Sequence, residues 1–164
     1  MNPTTFSIMN RMTDFFRGRP KQIQHFLKVS SFCEDIAIGE MLDGALRERL
    51  VIAGLVHDIG IRVADEKYGS HEGPLQEQEG PAAARPLLEQ SGCSPEEVDR
   101  LCWLIAHHHT YNNITEKDHQ ILVEADFLVN AYEDGLSKDS IRVMRDKIFR
   151  TATGTVLLNT MFDL

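Results

Sequence analysis

Leu50-Val51-Ile52-Ala53-Gly54-Leu55-Val56-His57-Asp58-Ile59-Gly60 is the stretch from which the fold can be read. Its residues are apolar on nearly every side of a helix, so the spacing predicts a central, buried helix over 47–59. Gly60 reads as its C-terminal cap. The run nevertheless closes on a histidine and an aspartate. A carboxylate is seldom buried without a partner, because an unpaired charge in apolar surroundings is very costly. A metal ion would neutralise it, and the two oxygens of Asp58 would let it bridge two ions. The competing reading, a cap pair at the surface, is disfavoured by the apolar residues on both flanks.

Working outward, glycine and proline punctuate further helical patterns, and no β-alternation lasts long enough to compete. A helix over 20–38 opens on Pro20 and carries Ile23, Phe26, Leu27, Phe32, Cys33, Ile36 and Ala37 at helical spacing. Residues 61–80 are polar and without clear period, which reads as a functional loop or lid. Pro81 is expected to open the next helix, which Pro86 should kink before it ends near Gly92. Ser94-Pro95-Glu96-Glu97 is a capping box and starts a helix reaching about His109. A turn through Asn112 and Asn113 precedes helices over 118–133, stopped by Gly135, and 138–150. The apolar tail, 151–164, should dock on the body or on a second subunit. The expected fold is all-α: a single-domain helical bundle with a metal site in its core. Residues 1–19 would form an N-terminal extension or helix, 20–134 the core, and 135–164 a C-terminal helix and docking tail.

Composition narrows the function. The chain has 164 residues, 42% hydrophobic and 26% charged, ordinary for a globular domain large enough to bury a core. Its formal charge of −8 has the wrong sign for a nucleic-acid binder. No apolar run is long enough to cross a bilayer, and the first nineteen residues lack the layout of a signal peptide, so the expected compartment is the cytoplasm. Cys33, Cys93 and Cys102 are odd in number and form no C-x-x-C pair, which argues against disulfides and a thiolate zinc site.

Other residues share the predicament of Asp58. His25 lies on one helix face with Val29, Phe32 and Ile36; alone it would read as a hydrogen-bonded core histidine. Asp126 sits among Leu122, Val123, Val129 and Asn130, where it pairs with a cation or becomes neutral; a structural salt bridge is the competing reading. In His107-His108-His109, the latter two follow Leu101, Cys102 and Ile105 at core spacing, while His107 turns toward the edge. A solvated helix end is the alternative. Taken together, separate helices each bring one nitrogen- or oxygen-bearing group inward, as bundles do when they build a metal centre. Donors of this kind suit one or two divalent ions of iron, manganese, zinc, cobalt, nickel or magnesium.

The order His25, His57-Asp58, Asp126 resembles the HD domain superfamily of metal-dependent phosphohydrolases, over roughly 21–133. The resemblance implies an all-helical fold with His25, His57, Asp58 and Asp126 as metal ligands. Two-metal members add histidines, and His108 and His109 match the later of these positions. His109-Thr110 also resembles the His-Thr of HD enzymes that split dinucleoside polyphosphates. Two departures stand out. Where many members carry a histidine upstream of a glycine, this chain reads Gln76-Glu77-Gln78-Glu79-Gly80, with Glu77, or else Glu79, as the substitute ligand; a solvated acidic loop is the competing reading. His71 is a further candidate. Where relatives often have lysine after the HD-Ile-Gly run, Ile61 is followed by Arg62.

The resemblance implies hydrolysis of a small phosphorylated substrate, such as a nucleotide. Asp58 would bridge metals or orient water, and a glutamate from the polar stretch would act as ligand or general base. Arg62 and Lys67 would stabilise phosphate charge, with Tyr68 also within reach of substrate. Two alternatives belong to other classes: a di-iron HD-type oxygenase, whose ligand set also includes intermediate histidines, and a nucleotide-binding regulator without catalysis. The apolar tail leaves a homodimer open.

Overall fold

The computed structural model describes residues 2–70 and 72–164. These form nine helices and no strand. In chain order they are α1 (Pro3–Phe15), α2 (Pro20–Gly39), α3 (Gly44–Val56), α4 (Gly60–Tyr68), α5 (Gly73–Gln90), α6 (Pro95–Ile105), α7 (Lys117–Glu133), α8 (Lys138–Ile148) and α9 (Ala152–Phe162). None among the described residues is long and apolar enough to cross a membrane.

Local chemistry sets most of the helix starts. The side chains of Asn2, Asp43, Ser94, Ser137 and Thr151 each accept a backbone N–H from the first turn of the following helix. The apolar run of α3 is buried from Ile52 to Val56, and α7 is buried along nearly its whole length. Helices α2, α3 and α7 pack on one another, and α6 also lies against α3. A β-carbon on Gly54 would stand 2.5 Å from the Ser30 Cα and 2.6 Å from its nitrogen. The absence of that carbon lets α2 and α3 meet backbone to backbone, and Ser30 Oγ donates to Val51 O across the contact at 2.9 Å.

The N-terminal segment is integral to this core, since Ile8, Met12 and Phe16 are fully buried. The C-terminal tail docks on the body as α9, against α2 and α7, with Leu158 buried. The buried carboxylate of Glu124 holds it there: it accepts from the backbone N–H groups of Arg150 and Thr151 at 2.7 and 3.0 Å and from the Thr151 hydroxyl.

Three expectations are corrected. The polar stretch 61–80 is largely helical, comprising α4 and the opening turns of α5. Helix α4 buries only Ile61 and Ala64 beyond its first residue, and its polar face is laced by Arg62–Glu66 and Arg19–Asp65 ion pairs. Its apolar stripe is therefore too thin to show a period. The start of α5 is marked by Pro74 rather than Pro81, and the helix runs on through Pro81 and Pro86. Gly60 opens α4 instead of capping α3. A side chain there would collide with Gln76 O and Gly80 N, so this glycine admits the close approach of α5.

Candidate metal centre

His57 and Asp58 lie in the tight turn between α3 and α4, and His108 and His109 in the turn after α6. His25 projects from the second turn of α2, and Asp126 from the middle of α7. The fold brings all six together. His25 Nε2 stands 3.2 Å from both His57 Nε2 and Asp126 Oδ1, and His57 Nε2 lies 3.4 Å from Asp126 Oδ1. Asp58 Oδ2 faces the same group, 3.7 Å from His25 Nε2 and 3.6 Å from His57 Nε2. Asp58 Oδ1 turns the other way, to His108 Nε2 at 2.8 Å and His109 Nε2 at 3.6 Å. One carboxylate thus separates two sets of imidazoles.

The outer nitrogens show which tautomers are present. His25 Nδ1 faces Glu133 Oε2 at 3.0 Å, His57 Nδ1 faces Gly54 O at 3.0 Å, and His108 Nδ1 faces Ile105 O at 2.8 Å. Each partner can only accept, so each Nδ1 carries the proton. Unless a ring is doubly protonated, every Nε2 then presents a lone pair. The centre is a convergence of acceptors: two imidazole nitrogens and an Asp126 oxygen on one side, and His108 Nε2 against an Asp58 oxygen on the other. A second proton on an imidazole relieves this in the metal-free centre, and a bound cation would take that proton's place. Donor atoms about 2.0–2.2 Å from one ion stand roughly 3.0–3.6 Å apart, which is the spacing among His25, His57 and Asp126, with Asp58 Oδ2 just beyond it at 3.7 Å from His25. The residues therefore fit a divalent metal.

The protonation energetics agree. Burial opposes charge on His25, but Asp126, Asp58 and Glu133 outweigh it and push its pKa up to about 9. Burial would raise Asp126 and Asp58, yet the facing histidines hold both below the usual carboxylate range. Burial pulls His108 down, while Asp58 overrides burial and raises His109. Two buried carboxylates thus draw positive charge from whatever lies nearest.

The remaining candidates lie elsewhere. Glu77 is not brought into the cluster: its Oε1 accepts from His109 N at 2.9 Å and from the Thr110 hydroxyl. Glu79 pairs with Lys67 and Tyr68 at 2.7 Å each. The oxygen that reaches the centre belongs to Gln76, whose Oε1 is 3.0 Å from His109 Nε2. Arg62 donates to Phe15 O and Glu66 and lies over the Phe15 ring. Neither Arg62 nor Lys67 lines the cleft above the centre. His71 lies outside the described residues.

That cleft measures about 410 Å3. His25, Asp58, Gln76 and His109 form its polar floor, Phe127, Leu136 and Met144 an apolar wall, and Lys21 contributes a cation. The sequence marks no role for Tyr111, Asn130 or Glu133, and it presents Lys21 with Arg17 and Arg19 as a solvated helix start. Glu133 and Asn130 carried a usable signal, lying seven and four residues after Asp126 on the same helical face. Asn130 donates to Asp126 Oδ1 at 2.9 Å, and Glu133 also pairs with Lys28 at 2.5 Å.

Comparison with known proteins agrees with this geometry. The HD domain pattern matches residues 23–141, so the chain belongs to the HD domain family. No curated protein matches it. Among solved structures it is similar to a predicted HD superfamily hydrolase from an uncultured Thermotogales bacterium, with a TM-score of 0.67 and 24% identity over 95% of this chain and 83% of that one. At that identity the likeness shows the shared fold.

Proposed function

We propose that this HD domain protein is a metal-dependent hydrolase, and that it acts on the phosphate ester of a nucleotide or another small molecule. Family membership and the name carried by the similar Thermotogales protein support the hydrolase reading. The observation that carries it is Asp58 at the base of the cleft, one oxygen toward each imidazole set. His25, His57, Asp58 and Asp126 would hold the ion. When bound, such an ion polarises a phosphoryl oxygen and lowers the pKa of water. Glu133 and the Gly54 carbonyl keep His25 and His57 in the ligating tautomer. The role expected of Arg62 and Lys67 passes to Lys21, whose ammonium can meet a phosphate at the cleft. Phe127, Leu136 and Met144 would pack against the rest of the substrate, and Asn130 and Tyr111 offer it hydrogen-bonding groups. The cleft volume is of the order that small-molecule sites occupy, about 300–1,000 Å3.

Metal analysis of the purified chain, followed by a phosphatase screen over nucleotides and sugar phosphates with each candidate metal, tests this. Metal-dependent phosphate release that disappears in Asp58→Ala is expected. Release that survives this substitution, or the lack of release with every metal, would overturn the proposal.

A further inference from the structure

The two faces of Asp58 are not equivalent. On the His25 side the donors are two imidazoles, the Asp58 oxygen and the full carboxylate of Asp126. On the His108 side they are two imidazoles, the other Asp58 oxygen and the neutral amide of Gln76. The first set holds one more negative charge. It is also better anchored: His25 and His57 are fixed through Nδ1 by Glu133 and Gly54, and both are buried. On the second side, among the described residues, only His108 has such an anchor, and the His109 side chain is 24% exposed.

Gln76 belongs to this arrangement through the packing of α5. Gly60 lets the Gln76 backbone press against the start of α4, and Gln76 itself is buried with its Oε1 toward His109. A neutral amide oxygen is a weaker donor to transition metals than imidazole and is better suited to a hard cation. We infer that Gln76 is a ligand of a second, weak metal position formed with Asp58, His108 and His109, so that this chain holds one ion tightly and a second, oxygen-preferring ion exchangeably. The inference rests on the metal-centred reading above. It extends that reading by making residue 76 the determinant of metal stoichiometry.

The test is titration of chelator-stripped full-length protein with Mn2+ alone, followed by calorimetry and by electron paramagnetic resonance, which detects coupled manganese pairs. The wild type should show a tight event and a second one weaker by roughly 100-fold, the span that changes around a metal site command. Gln76→His should bring the second event within about tenfold of the first and produce the coupled-pair signal at two equivalents. Gln76→Ala should weaken the second event by at least about tenfold and leave the first within about threefold. Circular dichroism establishes that each variant is folded, and the gain expected of Gln76→His does not depend on the Ala variant. Two equal sites in the wild type, or a second event indifferent to both substitutions, would overturn the inference while leaving the metal centre standing. Failure of the wild type to bind Mn2+ at all would remove the underlying reading as well.

Discussion

Gly54→Ala tests how the packing of α2 on α3 builds the centre. The new β-carbon would stand 2.5 Å from Ser30 Cα, 2.6 Å from Ser30 N and 3.0 Å from Val29 C. All three are backbone atoms, so no side-chain rotation relieves the clash. Ordinary carbon contacts lie near 3.5 Å, so the helices must part by roughly 1 Å. Overpacking of this kind costs about 3 kcal/mol at its upper end. The better helix propensity of alanine returns about 1 kcal/mol. The net loss of about 2 kcal/mol corresponds to a fall of about 6 °C in Tm for a domain of this size. The same displacement separates His25 from His57, now 3.2 Å apart at their Nε2 atoms. Metal affinity should therefore fall by at least about tenfold. Gly44→Ala, in the first turn of the same helix, is the control. Its β-carbon would meet nothing closer than Arg47 Nη2 at 4.0 Å, and it should raise stability by about 0.5 kcal/mol. Thermal melts in chelator give the stability, and Mn2+ calorimetry gives the affinity. If Gly54→Ala behaves like Gly44→Ala in both, the close approach is not what positions the histidines.

Three further perturbations address separate parts of the molecule. Glu133→Ala removes the acceptor behind His25 and should weaken the tight metal event by about 10–100-fold in calorimetry, with the fold intact by circular dichroism. Glu124→Ala leaves the Arg150 and Thr151 N–H groups without their acceptor and should lower stability by about 3 kcal/mol in urea melts, while changing metal affinity no more than about threefold. In metal-free protein the folded pKa of His25, about 9, lies above its ordinary 6.5. The stability it lends is therefore complete below about pH 6.5 and lost as pH rises through about 9. The metal must displace that proton, so calorimetric enthalpies at pH 7.5 should vary with buffer ionisation heat in proportion to about one proton released. Independence from the buffer would contradict the raised pKa.

Much of the candidate centre is legible because the residues that could hold a metal interrupt apolar runs. Asp58 and Asp126 stand out among Val, Ile and Leu, and burial of a lone carboxylate is costly enough to demand an explanation. The polar stretch was less transparent. Its two helices leave most of their residues at least partly exposed, so composition imitates a loop. A carboxylate substitute points to Glu77 or Glu79, with Glu77 favoured by its offset to Gly80, and this passes over Gln76, which the helical register turns toward the centre. Neighbouring positions on a helix point about 100° apart, and that rotation sends Glu77 to the His109 backbone and Gln76 to its ring. Lys67 was read as a substrate-binding cation because its partner, Glu79, becomes adjacent only when α4 packs on α5. Lys21 reads, with Arg17 and Arg19, as a solvated helix start for the opposite reason: nothing marks it until α7 closes the cleft beside it.

The position of His57 at a helix end is itself part of the design, and His108 repeats it. Each follows the last turn of its helix, α3 or α6, and each donates Nδ1–H to the carbonyl three residues earlier. The carbonyls in the last turn of a helix lack intrahelical donors. The histidine satisfies one of them, and in doing so fixes the tautomer that leaves Nε2 free to ligate. The same two ends carry the partial negative charge of the helix dipole, which favours a cation beside them. A histidine placed mid-helix would need a separate group to orient it, as His25 needs Glu133. One residue in the turn therefore supplies the cap and the orientation and, on the proposed reading, the ligand. A substitution at either position removes all three together. His57→Ala and His108→Ala should consequently lose stability in chelator as well as metal affinity, each by about 1–3 kcal/mol for the stranded carbonyl and the vacated space. If stability measured without metal were unchanged in both, the carbonyl contacts would be incidental, and the placement of these ligands at helix ends would need another cause.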